Sequence, residues 1–168
     1  MLSYDKSFDP LHTSLRMLRI LEALPEEQHP TELVRILDFY LAFPHKISEI
    51  RVPRSLLSLK KRFVRPANPY IFLGDSFFQF SRMKVIQETA FRLLSGRGLI
   101  SVDVLAKGYA TRTDVPLSEK LQNLIKELNE GQADLLGVLT DELAQIPLLG
   151  VGGLKDRTGL IDFRYDAV

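Results

Sequence analysis

Residues 75–112, DSFFQFSRMKVIQETAFRLLSGRGLISVDVLAKGYATR, decide the fold. Met83, Ile86, Ala90, Leu93 and Leu94 recur at helical spacing, while Arg82, Lys84, Gln87, Glu88 and Arg92 fill the other face. Asp75 is placed to cap the start of this helix and Gly96 to end it. Leu99 to Asp103 then alternates, with Leu99, Ser101 and Asp103 on one side and Ile100 and Val102 on the other. That pattern predicts a strand, and Tyr109 to Thr113 is predicted to pair back onto it. Helix, glycine, "GLI", hairpin and "GYATRT" in this order are the elements of a winged helix. Such a module docks on nucleic acid or on protein and is not a catalytic arrangement.

Upstream, residues 1–8 read as a loose arm. Asp9 and Pro10 then start a helix, as N-cap and first helical residue. Leu11, Leu15, Leu18 and Leu21 form its apolar stripe, with Arg16, Arg19 and Glu22 off it, and Pro25 ends it. A second helix is predicted from Thr31 to Phe43. It is apolar nearly all round, through Leu33, Val34, Ile36, Leu37, Phe39, Tyr40 and Leu41, which marks it as central to the core. Its interior charges, Arg35 and Asp38, stand three apart and read as a partly buried ion pair; the other reading is that Arg35 reaches a partner. Pro53 is predicted to open a helix carrying Leu56, Leu57, Leu59 and Phe63, and Tyr70 to Leu73 is a short apolar run.

After Pro116 two amphipathic helices follow, separated by Gly131. The first carries Leu117, Leu121, Leu124, Ile125 and Leu128, and the second Leu135, Leu136, Leu139, Leu143 and Ile146. A break this short predicts an antiparallel pair. Thr158 to Tyr165 is predicted to be a terminal strand. The division that results is a winged-helix-like domain over 1–113, with a C-terminal helical hairpin and tail over 114–168. The fold class is mainly α with a small β wing.

The chain has 168 residues and a formal charge of +1, so its net charge does not call for a polyanionic partner. The distribution of charge is more telling. Between Lys46 and Arg65, seven cations (Lys46, Arg51, Arg54, Lys60, Lys61, Arg62 and Arg65) face only Glu49, which leaves −5 for the rest of the chain. Three readings stay open for this segment: a solvated surface helix, a surface for DNA phosphates, or a dock for an acidic protein. Lysine and arginine there would bind phosphate without reading sequence. On the hairpin, Lys107 and Arg112 are the residues able to meet phosphate, while Tyr109 reads as packing beneath the wing.

Catalytic chemistry finds little footing. "GVGG" at Gly150–Gly153 lacks the Lys-Ser/Thr of a phosphate loop and the spacing of a dinucleotide fingerprint, so it reads as a turn. The chain has no cysteine, and His12, His29 and His45 share no ligand-like spacing. No catalytic residue, cofactor or metal site is assigned. No stretch approaches the roughly 20 apolar residues of a membrane span. The N-terminus lacks the apolar run of a signal peptide. The expectation is a cytoplasmic protein with no membrane partner.

The blocks YDKSFDPLHTSLRMLRILEAL, RILDFYLAFPHKISEIR and LLSGRGLISVDVLAKGYATRT resemble middle components of bacterial three-component ABC-ATPase systems, which include relatives of Lamassu-type phage defence. The likeness covers most of residues 4–113 and rests on aromatic, proline and basic positions. It implies a non-catalytic accessory subunit. Its partners would be an SMC- or Rad50-like ATPase and an effector from the same operon, in a DNA-sensing antiphage or anti-plasmid complex, with double-stranded DNA met through the basic segment. The alternative is a stand-alone winged-helix DNA-binding regulator.

Overall fold

Asp9 and Pro10 start the first helix as their residue types require. The computed structural model describes residues 5–64 and 75–164. Helix α1 spans Pro10–Ala23, and the Asp9 carboxylate accepts from the backbone N–H groups of Leu11 (2.9 Å) and His12 (3.0 Å). The leucine stripe read from spacing turns inward at Leu15, Leu18 and Leu21 but not at its first residue, and the buried face is wider than the stripe. Leu11 is 69% exposed, and Thr13, Met17, Leu18, Ile20 and Leu21 point inward with Arg19. A short strand β1 (His29–Pro30) leads into α2 (Thr31–Ala42). Eight consecutive or near-consecutive side chains of α2 from Leu33 to Leu41 are buried, so it is the central element, as its uniformly apolar sequence predicts.

The predicted helix after Pro53 does not form as one piece. The chain makes a 3₁₀ turn at Pro44–Glu49, a second at Arg54–Leu56, and only one helical turn, α3 (Leu59–Arg62). Leu59 is the only residue of that turn to reach the core, and Leu57 is exposed. Without a continuous apolar face, so short a helix has little to hold it. The apolar run Tyr70–Leu73 lies outside the described residues.

Helix α4 (Ser76–Gly96) starts at Asp75, whose side chain accepts from Phe77 N–H (3.1 Å). At about 30 Å it is the longest element described. It packs on α1 and buries Phe80, Met83, Gln87, Ala90, Phe91 and Leu94. Gly98, at φ +71°, turns the chain out of it.

The hairpin expected next is a different object. Ile100 makes a single bridge with Arg112, and the chain then folds into a helical turn, α5 (Val102–Leu105). Ser101 caps that turn through Val104 N–H (3.3 Å), and Asp103 stands in its first turn. This capping pair overrides the weak alternation of Leu99–Asp103. The return strand β2 (Tyr109–Ala110) pairs antiparallel with β1, His29 opposite Ala110 and Pro30 opposite Tyr109.

Ser118 caps α6 (Glu119–Gly131), and α7 (Ala133–Gly137) runs on into a wide π turn over Val138–Leu143. The two do not close stripe on stripe. Ile125 of α6 joins Met17, Leu18, Leu21, Ala90, Phe91, Leu94 and Ile100, whereas Leu135, Val138, Leu139 and Leu143 join Ile36, Leu37, Phe39 and Tyr40 of α2. Each helix therefore serves a separate apolar cluster, and α2 contributes to both, since its Val34 lies with the α1–α4 side. The last helix described is α8 (Leu154–Thr158); the sequence predicts a strand from Thr158 onward, and the described part of that stretch, through Arg164, contains no strand. Gly153 permits the turn into α8: a Cβ there would sit 2.9 Å from the Pro147 carbonyl oxygen and closer still to that of Leu149. The "GVGG" loop is thus a close backbone approach.

The interior is tied by polar groups. Asp38, 0% exposed, accepts from Arg16 Nε (2.7 Å) and Nη2 (3.3 Å) and from Gln87 Nε2 (2.8 Å). The ion pair expected between Arg35 and Asp38 does not form, because Asp38 points to α1 and Arg35 toward α4. Arg19, 5% exposed, reaches the C-terminal end of α6, where it donates to Asn129 Oδ1 (2.8 Å), Gln132 Oε1 (2.6 Å) and the Leu128 carbonyl (3.4 Å). Burial, and next the nearby Arg16 charge, lower its pKa from the ordinary arginine value.

Candidate partner and nucleic-acid interface

The basic segment divides into cations used within the fold and cations left outward. Lys46 is buried on the Pro44–Glu49 turn, with Nζ 2.8 Å from Glu49 Oε1. Ser76 at the start of α4 donates to the other Glu49 oxygen. Burial pushes the Glu49 carboxyl up, but Lys46 and Ser76 more than offset this and hold it below its ordinary value. Lys46 therefore joins a turn to a helix, and is not presented to a ligand. Arg51 is exposed, yet its guanidinium lies 2.8 Å from Asp156 on α8. Its backbone N–H donates to the Arg157 carbonyl (3.0 Å), and Arg157 Nη1 donates to the Arg51 carbonyl (2.7 Å). Arg62 pairs with Asp134 and stands 3.7 Å from Glu142. Arg54, Lys60 and Lys61 make no ion pair among the described residues, and Arg65 lies outside them.

Just after β2, Arg112 is a strut. It pairs with Glu22 of α1, and it donates to the carbonyls of Leu99 and, at 3.3 Å, Val115. Lys107 is exposed beside Gly108, and Tyr109 is exposed rather than packed beneath the wing. Lys46 and Arg112 are thus engaged within the fold, whereas Arg54, Lys60 and Lys61 make no ion pair among the described residues and Lys107 is exposed.

Sequence reading passed over the outer face of α4. Arg82, Lys84 and Arg92 are exposed there, with Arg82 stacked 5.0 Å from the Phe8 ring centroid. Their position off the apolar stripe was the available signal. A cleft of about 550 Å³ between the end of α1 and residues 111–117 is lined by Glu22, Glu26, Glu27 and Asp114, with Arg112 and His29 among its other residues. Among the described residues no group of His, Asp or Glu gathers as a metal-ligand set, and no helix is long and apolar enough to cross a membrane.

Comparison with protein families places the chain. Residues 2–166 match the model of the ABC-three component (ABC-3C) system Middle Component 5. The chain belongs to that family. No curated protein and no solved structure matches it. A middle component is one part of a multi-component system, so this one has partner proteins in its operon, as the resemblance of residues 4–113 implies. The family match extends through the C-terminal helices, beyond the blocks that carry the resemblance.

Proposed function

We propose that this middle component is a non-catalytic accessory subunit bridging an SMC- or Rad50-like ABC ATPase and an effector, in a DNA-sensing antiphage or anti-plasmid complex. The match to the middle-component family over residues 2–166 carries the reading. Its winged-helix element is supported by the position of β1 between α1 and α2, by its pairing with β2, and by the Ile100–Arg112 bridge after α4. Contact with DNA is supported by the cations Arg54, Lys60 and Lys61, which have no ion pair among the described residues, and by the exposed Lys107. All four suit phosphate positioning and not base reading.

Co-expression with the ATPase and effector of its operon tests this. The expected result is a complex that co-purifies through gel filtration and binds duplex DNA, while the isolated chain neither hydrolyses ATP nor cuts DNA. A chain that stays apart from both partners, and instead forms a symmetric dimer binding one sequence, would make it a stand-alone regulator. ATP turnover that survives a change of purification route would refute the non-catalytic assignment.

A further inference from the structure

Arg35 is the side chain of the central helix that the fold holds without neutralising. Its Nε donates to Gln87 Oε1 (2.9 Å), and its guanidinium carbon lies 4.8 Å from the Phe80 ring centroid. Gln87, itself fully buried, is fixed by donating to the Arg35 carbonyl (3.1 Å) and to Asp38 (2.8 Å). The guanidinium plane is therefore set by a neutral amide and an aromatic face. The other recessed arginines have more acceptors: Arg16 and Arg112 meet carboxylates, Arg19 three oxygens at the end of α6, and Arg157 the carbonyls of Gly152 and Arg51. Arg35 has no ion pair among the described residues, and its two terminal nitrogens have no acceptor there.

The charge around it leaves a cationic surplus. Glu32, one turn earlier on α2, is taken by Lys155 (2.7 Å). On the α4 side, Lys84 is exposed and Glu88 half-exposed, on either side of Gln87. Glu88, Glu32 and Asp38 act on Arg35 from a distance, and none of them pairs with it. Burial lowers the Arg35 pKa, against the pull of Glu88, Glu32 and Asp38, so holding this cation in place carries an unrecovered desolvation cost. An arriving anion would offset that cost, and the fixed fork would lose little freedom in binding it.

From this geometry we infer that Arg35 is an anchor for a carboxylate side chain of a partner protein, received at the seam between α2 and α4. A carboxylate fits because the free edge of the guanidinium offers two parallel donors. A duplex fits poorly. Arg35 is half-buried and its orientation is fixed by Gln87 and Phe80, which suits one carboxylate better than the spaced phosphates of a duplex. The inference rests on the reading of the chain as a subunit of an assembly.

The test uses the full chain, free and co-purified with the ATPase and effector of its operon. Phenylglyoxal, which modifies the terminal guanidinium nitrogens, is applied to both and the modified peptides are read by mass spectrometry. Arg35 should react in the free chain and be protected at least fivefold in the complex, while Arg54 on the open surface reacts. Arg35→Gln should weaken capture by the partners at least tenfold, with Arg35→Lys intermediate because it keeps the charge and loses the fork. Equal reactivity of Arg35 in both states overturns the inference even if Arg35→Gln fails to fold. Unchanged assembly with reduced DNA affinity in Arg35→Gln would make the anion a phosphate and also overturn it. If the wild-type chain forms no complex, the subunit reading falls first and this inference with it.

Discussion

Removing the Asp38 carboxylate should be among the most damaging single changes available in this chain. Asp38 is fully buried and takes three hydrogen bonds, two from Arg16 and one from Gln87, so it joins α1, α2 and α4 at one point. Asp38→Ala leaves a guanidinium and an amide N–H facing a void. Breaking a buried ion pair by deleting one partner costs about 3–5 kcal/mol. The lower end applies, because the Arg16 side chain is 12% exposed and recovers some water, whereas Gln87 is sealed. A loss of about 3 kcal/mol corresponds to a melting temperature lower by about 6–12 °C in a domain of this size. Asp38→Asn keeps the shape and an acceptor but loses the charge, and should cost roughly 1–2 kcal/mol. Urea unfolding followed by circular dichroism gives both values, and Arg16→Ala with the double variant completes a cycle for the coupling. If Asp38→Ala unfolds within about 0.5 kcal/mol of wild type, the junction does not hold the three helices and the account of the interior is wrong.

Three further outcomes are expected. Gly153→Ala forces a methyl group against the carbonyls of Leu149 and Pro147, and should cost about 1–3 kcal/mol by thermal melting; an unchanged melting curve would show that the turn into α8 relaxes freely. Truncation after Pro116 removes Leu135, Val138, Leu139 and Leu143 from the cluster on α2, so fragment 1–116 should be insoluble or fail to assemble; a soluble fragment that still joins the complex would contradict this. Lys60→Glu with Lys61→Glu should weaken DNA binding by the assembled complex equally across sequences, while assembly persists. The salt slope should fall by about 0.9 for each phosphate that is no longer neutralised. If assembly breaks at low salt instead, the segment docks an acidic protein, and if neither changes it is a solvated face.

The helices with strong local signals were legible from sequence. Asp9-Pro10, Asp75 and Ser118 cap α1, α4 and α6 as read, because capping is a matter of one or two residues. The uniformly apolar α2 announced the centre of the core for the same reason. What spacing could not show was partner choice across the fold. Arg35 and Asp38 are correctly spaced for each other, but each has a better-placed partner on another helix. In the basic segment, spacing likewise could not show which cations the fold engages. Its cations are visible in sequence, whereas Asp156, Asp134 and Glu142, which take up Arg51 and Arg62, come from the far end of the chain. The wing misled through local competition: five alternating residues suggested a strand, and one serine followed by an aspartate made a helical turn of it.

The loop before β2 is bolted to the central helix. The Gly108 carbonyl accepts from Thr31 N–H (2.9 Å), the first residue of α2, and β2 lies against β1 immediately before it. A load applied at Lys107 or Tyr109 would therefore pass through this backbone contact to the start of α2, the helix that supplies much of one apolar cluster and Val34 of the other. A partner gripping this loop would be holding the central helix by a handle, with Arg35 four residues further along the same rod.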